Sequence, residues 1–266
     1  MPPDTANPKE GVHVIRFRSL ALLAVLLTAG CWFYFFDADS SETRTWSAAA
    51  VDTIDVRSDN GEVTVTAATD TVVTALITRR CRGTTEGEAE ARLVDVIVTD
   101  DIAGRKLNLA VEVPSPNNRS YLAELAITAP AATVLAIHAA NGEVRLVNMA
   151  AFASATSNNG GVIVTGHSGS LDALANNGLA DCSMAAVAAG DTVAVHSDNG
   201  EARLTLPADA SATFLVSTGN GAAHVEGFAN VHYDLNEAKL KRGTLGAGGA
   251  DVTVTASNGA ARLKAR

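Results

Sequence analysis

The sequence predicts an all-β protein, a β-solenoid carrying one short inserted helix, and three observations lead there. Seven Asn-Gly pairs punctuate the 266 residues, at Asn60-Gly61, Asn141-Gly142, Asn159-Gly160, Asn177-Gly178, Asn199-Gly200, Asn220-Gly221 and Asn258-Gly259. From Asn141 to Asn220 the steps are 18, 18, 22 and 21 residues, and the last step of 38 is close to two such units. A turn that recurs at a nearly fixed period is the mark of a repeat architecture. Most pairs are followed by alternating apolar and polar residues, the period of a strand with one buried face. The composition, 47% apolar but 5% aromatic and 18% charged, suits thin β-layers built from Ala, Val, Thr and Gly.

Asn-Gly flanked by alternating strands is also a hairpin signal, because the pair accepts positive φ at both positions. A set of hairpins would build a sandwich with unequal connections at both ends. One turn type recurring once per 18 to 22 residues favours stacked coils, in which equivalent turns lie about 4.8 Å apart. Stacked asparagines can then bond along the coil axis.

The N-terminus reads as a targeting segment over residues 1–30. Arg16-Phe17-Arg18 precedes an uncharged run over 19–36 that contains Leu27-Thr28-Ala29-Gly30-Cys31. Basic flank, apolar core, small residues and cysteine, in that order, look like a bacterial lipoprotein signal, which would make Cys31 the lipidated residue. Thr28 stands where leucine is usual, and the aromatic residues from Trp32 to Phe36 prolong the apolar run. The other reading is an uncleaved anchor, since 18 residues reach the lower end of a membrane-spanning helix. Either way the domain is expected outside the cytoplasm, anchored to a membrane of the cell envelope. Residues 31–50 read as a polar tether.

The β-domain is expected over 51–266. Its first unit is Ile54-Asp55-Val56, the turn at Asn60, and Val63-Thr64-Val65. Thr85 and Glu88 have capping-box spacing, which places a helix at about 85–94. Strands follow at 95–99 and 106–113, joined by a polar turn at 100–104. Proline and asparagine make 114–118 a loop, and strand character resumes at 121–127. The repeat then governs, with units over 137–146, 156–164, 174–182, 195–206, 214–225 and 252–263.

With the repeats laid out, the chain resembles the bacterial "putative adhesin" family of β-strand-repeat proteins of unknown function. The residues that carry the likeness are Ser58-Asp59-Asn60-Gly61-Glu62-Val63, Ala139-Ala140-Asn141-Gly142-Glu143-Val144 and Ser197-Asp198-Asn199-Gly200-Glu201-Ala202, with the closing segment 246–259. The resemblance implies a right-handed single-stranded β-helix, tethered or secreted, with no catalytic residues.

Chemistry-bearing motifs are few. Gly166-His167-Ser168-Gly169-Ser170 is one residue short of a nucleophile elbow and lacks the strand-to-helix context that strains such a serine, so a plain turn is expected. His138 and His196 each precede an Asn-Gly asparagine by three residues. Two intervening coils would hold them about 14 Å apart, too far to share a metal. Asp59 with Glu62, and Asp198 with Glu201, place carboxylates beside turns without a calcium-loop spacing. Cys81 and Cys182 are candidates for a disulfide in an oxidising compartment, weighed against two separately buried thiols. No cofactor or metal is expected. The net charge of -9 opposes nucleic acid.

The function expected from these features is a non-enzymatic surface for a protein or polysaccharide ligand, since solenoids offer extended faces. The alternatives are an envelope-stress sensor that binds a partner or a membrane-active compound, and a glycan-cleaving enzyme, which would need converging carboxylates.

Overall fold

The computed structural model describes residues 14–15, 35–114 and 120–266. The targeting segment apart from Val14 and Ile15, the lipidation candidate Cys31 and most of the loop at 114–118 lie outside those residues. Among the described residues no helix is long and apolar enough to cross a membrane.

The strands in chain order are β1 (Val14–Ile15), β2 (Phe36–Ser47), β3 (Thr53–Asn60), β4 (Val63–Ala68) and β5 (Val72–Gly83), then helix α1 (Glu86–Arg92). They continue as β6 (Ile97–Ala103), β7 (Lys106–Glu112), β8 (Tyr121–Pro130), β9 (Val134–Asn141), β10 (Val144–Val147), β11 (Ala153–Asn159) and β12 (Val162–Ser168). The rest are β13 (Leu171–Ala175), β14 (Ala180–Ala186), β15 (Thr192–Asn199), β16 (Ala202–Leu206), β17 (Ala212–Asn220), β18 (Ala223–Glu226), β19 (Val231–Asn236), β20 (Leu240–Leu245), β21 (Ala250–Asn258) and β22 (Ala261–Ala265).

They form two 11-stranded sheets, ordered β1-β2-β5-β8-β4-β10-β12-β14-β16-β22-β18 and β19-β20-β17-β21-β15-β13-β11-β9-β3-β7-β6. The strands before and after each Asn-Gly belong to different sheets, so none of these pairs closes a hairpin. Each strand pair joined by an Asn-Gly is one coil of a solenoid-like stack, as is β7 with β8. The middle of both sheets is parallel, whereas β2, β5 and β6 at one end and β19 and β20 at the other run antiparallel.

Coil order in space departs from chain order. From the N-terminal end it runs β7/β8, β3/β4, β9/β10, β11/β12, β13/β14, β15/β16, β21/β22, β17/β18. The first coil is inserted between two later ones, and the last coil between two earlier ones.

The core is the thin space between the sheets, lined by in-register rows. One row is Leu107, Ile54, Leu135, Ala153, Leu171, Val193, Val252 and Phe214, all buried. The facing sheet supplies Ile127, Val65, Leu146, Val164, Cys182, Leu204 and Leu263, likewise buried. Alternation along each strand sends every second residue inward.

Several expectations are corrected. The tether over 31–50 is instead a paired strand from Phe36, because β5 would otherwise present a bare edge, and β2 covers it along its whole length. The turn at 100–104 is the two residues Gly104 and Arg105, and Asp100 and Asp101 pair with Leu109 and Asn108. The helix is shorter than 85–94: Thr85 caps α1 by accepting from the Glu88 amide, and Leu93–Asp95 tightens into a 3-10 turn. Of the two readings of Cys81 and Cys182, the structure has the separately buried thiols. Five strand steps separate β5 from β14 in their sheet, roughly 24 Å at about 4.8 Å each, whereas a disulfide needs Cα atoms about 6 Å apart.

The reason for Asn-Gly also changes. Among the described residues the single non-glycine at positive φ is Asn148, and Gly160, Gly178, Gly200 and Gly221 are not at positive φ either. Gly61, Gly142 and Gly259 keep positive φ, but at the other four close stacking demands glycine instead: a Cβ on Gly178 would overlap the carbonyl oxygen of Gly160, and one on Gly200 would overlap that of Gly178.

Candidate binding surface

The asparagines stand in register at the junction between the sheets. The Nδ2 of Asn159 donates to Oδ1 of Asn141 at 2.9 Å, Asn177 to Asn159 at 3.1 Å, Asn199 to Asn177 at 3.0 Å, Asn258 to Asn199 at 3.0 Å and Asn220 to Asn258 at 2.9 Å. Asn60 joins through the Tyr121 carbonyl and Asn141 through that of Asp59. Each amide satisfies the next, so the ladder is a rigid edge with little spare capacity for a ligand.

Two residues before each asparagine, the inward side chains in spatial order are Ser58, Ala139, Ser157, Ala175, Ser197, Ala256 and Thr218. The Ser157 hydroxyl donates to Gly142 O at 2.7 Å, Ser197 to Gly178 O at 2.8 Å and Thr218 to Gly259 O at 2.6 Å. Each hydroxyl-bearing coil thus binds the glycine of an alanine-bearing neighbour. The other hydroxyls bond toward the preceding coil, and on that side Ser58 meets β7/β8, where Ala123 and not a glycine packs on Gly61; its hydroxyl is buried without a partner.

The outer face of the first sheet is chemically ordered. Glu and Arg two residues apart on one strand point the same way, and two ion-pair clusters result, separated by Ile163 in β12. Glu62 meets Arg145 at 3.7 Å and Arg145 also pairs with Glu143. Arg203 bridges Asp181 at 3.2 Å and Glu201 at 2.6 Å, and Arg262 bridges Glu201 at 2.5 Å and Glu226 at 3.6 Å. Burial alone would raise the Glu201 carboxyl, but the guanidinium groups of Arg203 and Arg262 hold it below the ordinary range. The Glu-x-Arg spacing at Glu143-Arg145 and Glu201-Arg203 is the sequence signal for these pairs.

A hydroxyl row lies beside them: Thr45, Thr74, Thr128 and Thr66 stand in register on β2, β5, β8 and β4, and the row continues through Val147 to Thr165. Between β4, β5 and β8 is a depression of about 200 Å³ lined by Glu62, Thr64, Leu76, Thr78, Glu124 and Ala126. This is below the roughly 300 Å³ at which small-ligand pockets begin. Glu124 is met by Arg80 at 3.6 Å.

The remaining candidates are dispersed. His138 lies exposed in a register row that passes through Thr156 and Leu174 before reaching His196. His196 bonds Thr255 and Asp198 at 2.5 and 2.7 Å, and Asp198 also accepts from Ser257. The His196 bond, then that of Ser257, lowers the Asp198 carboxyl. Asp59 accepts from the Val113 amide. Ser168 lies in a strand and not at the start of a helix. Among the described residues no three His, Cys, Asp or Glu side chains are grouped to hold a metal.

A family model described as Toastrack DUF4097 matches residues 37–264. The chain belongs to the Toastrack DUF4097 family. The match begins at β2, the strand that replaces the expected tether, and spans the stack to β22. Among solved structures, this Toastrack chain is similar to a "putative cell adhesion protein" from Clostridium sporogenes, at 11% identity over 86% of this chain and 100% of that one, with a TM-score of 0.53. Two others are a "putative adhesin" from Bacteroides fragilis (10% identity, 85% and 97% covered, TM-score 0.37) and a "putative lipid binding protein" from Parabacteroides distasonis (10% identity, 84% and 96% covered, TM-score 0.28). No curated protein matches the Toastrack chain.

Proposed function

We propose that this chain is a non-enzymatic, membrane-anchored β-solenoid that presents a binding or scaffolding surface in the bacterial cell envelope, outside the cytoplasm. The observation that carries the reading is the outer face of the first sheet, where a hydroxyl row crosses β2, β5, β8 and β4 and ion-pair clusters lie on either side of Ile163 in β12. Such a face suits an extended protein or polysaccharide better than a small substrate. Its acidic residues Glu62, Glu124, Glu201 and Glu226 are engaged by arginines, which supports binding over acid-base catalysis. The cell-adhesion name carried by the Clostridium sporogenes structure agrees with a surface role. The coil is right-handed, as crossovers between parallel strands nearly always are, and each Asn-Gly forms one corner of it. The apolar run over 19–36 and Cys31 supply the anchor.

Protease treatment of intact cells tests the placement. Loss of the fragment spanning 37–264 from intact cells, with release of the domain in Cys31→Ala, is the expected result. Protection until lysis would overturn a surface-binding role.

A further inference from the structure

The corner opposite the asparagine ladder holds the chemistry that the surface does not use. His167 is fully buried, and it is the one histidine in the buried set among the described residues. A β-bulge between Val164 and Ser168 re-aims this stretch of β12, as bulges commonly do, with Gly166 and Gly169 at positive φ on either side. The ring is 3.2 Å from the Ser170 carbonyl through Nε2. A carbonyl can only accept, so Nε2 carries the proton and Nδ1 presents a bare lone pair. That Nδ1 is buried and has no hydrogen-bond partner. Orphaned polar atoms of this kind are rare in folded interiors and call for an explanation.

The neighbours supply one. His167 is the register partner of Met184 on β14, and on the other side the Ser168 amide bonds the Met149 carbonyl at 2.9 Å. Met149 and Met184 are both buried at 1% exposure or less, and the whole sequence contains one other methionine, Met1. Thioether, imidazole and thioether therefore occupy three successive coils of the interior, about 4.8 Å apart along the axis. Methionine has three rotatable bonds and a polarisable sulfur, so both side chains can turn toward an atom held on Nδ1.

We propose that Met149, His167 and Met184 form a binding site for a soft monovalent cation, copper(I), held by Nδ1 of His167 and the two Sδ atoms. The ligand set is neutral and soft, which selects copper(I) over zinc, calcium or magnesium. A single charge also costs far less to bury than a divalent one. The Nε2 bond to Ser170 is the outer contact that metal-binding histidines typically keep, fixing tautomer and ring orientation. Burial lowers the imidazole below its ordinary range. Cys182 lies two residues before Met184 on the same inward face of β14.

The test uses the full-length chain in detergent micelles with 13C-methyl-labelled methionine, titrated first with silver(I) as a redox-inert probe and then with copper(I) under anaerobic reducing conditions. The expected result is that the Met149 and Met184 methyl signals shift together along one saturating curve while Met1 stays in place. Met149→Leu, a volume-matched change that the core should tolerate, should bind one equivalent fewer and weaken the response at Met184 at least tenfold. Met184→Leu should do the same to Met149. His167→Leu removes the anchor outright, and the methionine variants keep the test valid if that protein fails to fold. The proposal is overturned if excess silver(I) leaves both methyl signals unmoved because the cysteine thiols take the metal. It is equally overturned if each methyl responds independently of the other methionine.

Discussion

The coil formed by β13 and β14 has a parallel neighbour on both sides in both sheets, whereas the coil formed by β7 and β8 has parallel neighbours on one side and antiparallel strands on the other. In the middle the same contacts serve every coil: an amide rung, a glycine stacked on a glycine and an apolar row. At the N-terminal end the space between β2, β5 and β6 is filled by charge. Arg44 pairs with Glu42 at 2.5 Å and Asp100 at 2.6 Å, Arg79 pairs with Glu42 at 2.9 Å, and the Trp46 indole donates to Asp100. The other end is closed by β19 and β20, with Tyr233 edge-on to Phe214 at 5.8 Å. Between the sheets a middle coil can be uncharged and repetitive because each neighbour presents a copy of its own pattern. An end coil must meet something unlike itself, and ion pairs and aromatic rings there blunt two open edges.

Substitutions can break this contrast, and the largest effect is expected from Gly200→Ala. Its Cβ would overlap Gly178 O and crowd the Ser197 hydroxyl, so urea melts should show a loss of about 3 kcal/mol. Gly104→Ala, in open space at an end hairpin with φ +67, should lose about 1 kcal/mol from backbone strain alone. Equal losses would remove stacking as the reason for the glycine ladder.

Next is the charged end. Burial would raise the Glu42 carboxyl, but Arg79 and Arg44 together hold it below the ordinary value of 4.5. Its folded pKa is therefore below its unfolded one, so its contribution is complete above pH 4.5 and is lost as pH falls through the lowered value. Glu42→Gln should cost about 2 kcal/mol at pH 7 and flatten the acid limb of the stability curve. The amide rungs carry no titratable group and add no such slope. An unchanged acid limb would dissolve the distinction.

Smaller effects sharpen it. Ser157→Ala removes a buried donor to Gly142 and should cost about 1 kcal/mol, while Ser58→Ala deletes an unpartnered hydroxyl and should be neutral or slightly stabilising. Asn177→Ala, which breaks two ladder bonds, should cost about 1 kcal/mol, roughly twice the cost of Asn220→Ala at the last rung. Gly87→Ala on α1 meets nothing within 4 Å and should gain about 0.5 kcal/mol from helix propensity. Thermal melts of each pair side by side decide these.

Legibility in the sequence followed the same division. The middle strands were readable from alternation and the Asn-Gly period, and α1 from Thr85 and Glu88. Less readable was β2, because its inward positions Glu42, Arg44 and Trp46 look polar and gain partners only from β5 and β6. The role of Asn-Gly was half readable: composition pointed to a turn, but the need for glycine comes from the neighbouring coil. His167 carried no local signal, since its isolation depends on a bulge and on methionines 18 and 17 residues away.

By itself the sequence determined the strand period, the inward and outward faces and the edge on which the asparagines lie, because these depend on local alternation and backbone chemistry. Only the tertiary structure decided which coil lies beside which. In chain order the residues two before each asparagine end Ser197, Thr218, Ala256, which breaks the alternation of hydroxyl and alanine. Insertion of β21/β22 between β15/β16 and β17/β18 restores it and gives Thr218 the Gly259 carbonyl. Coils with nearly identical faces can stack in many orders, so neighbour choice rests on a few pairings between distant residues that no local pattern encodes.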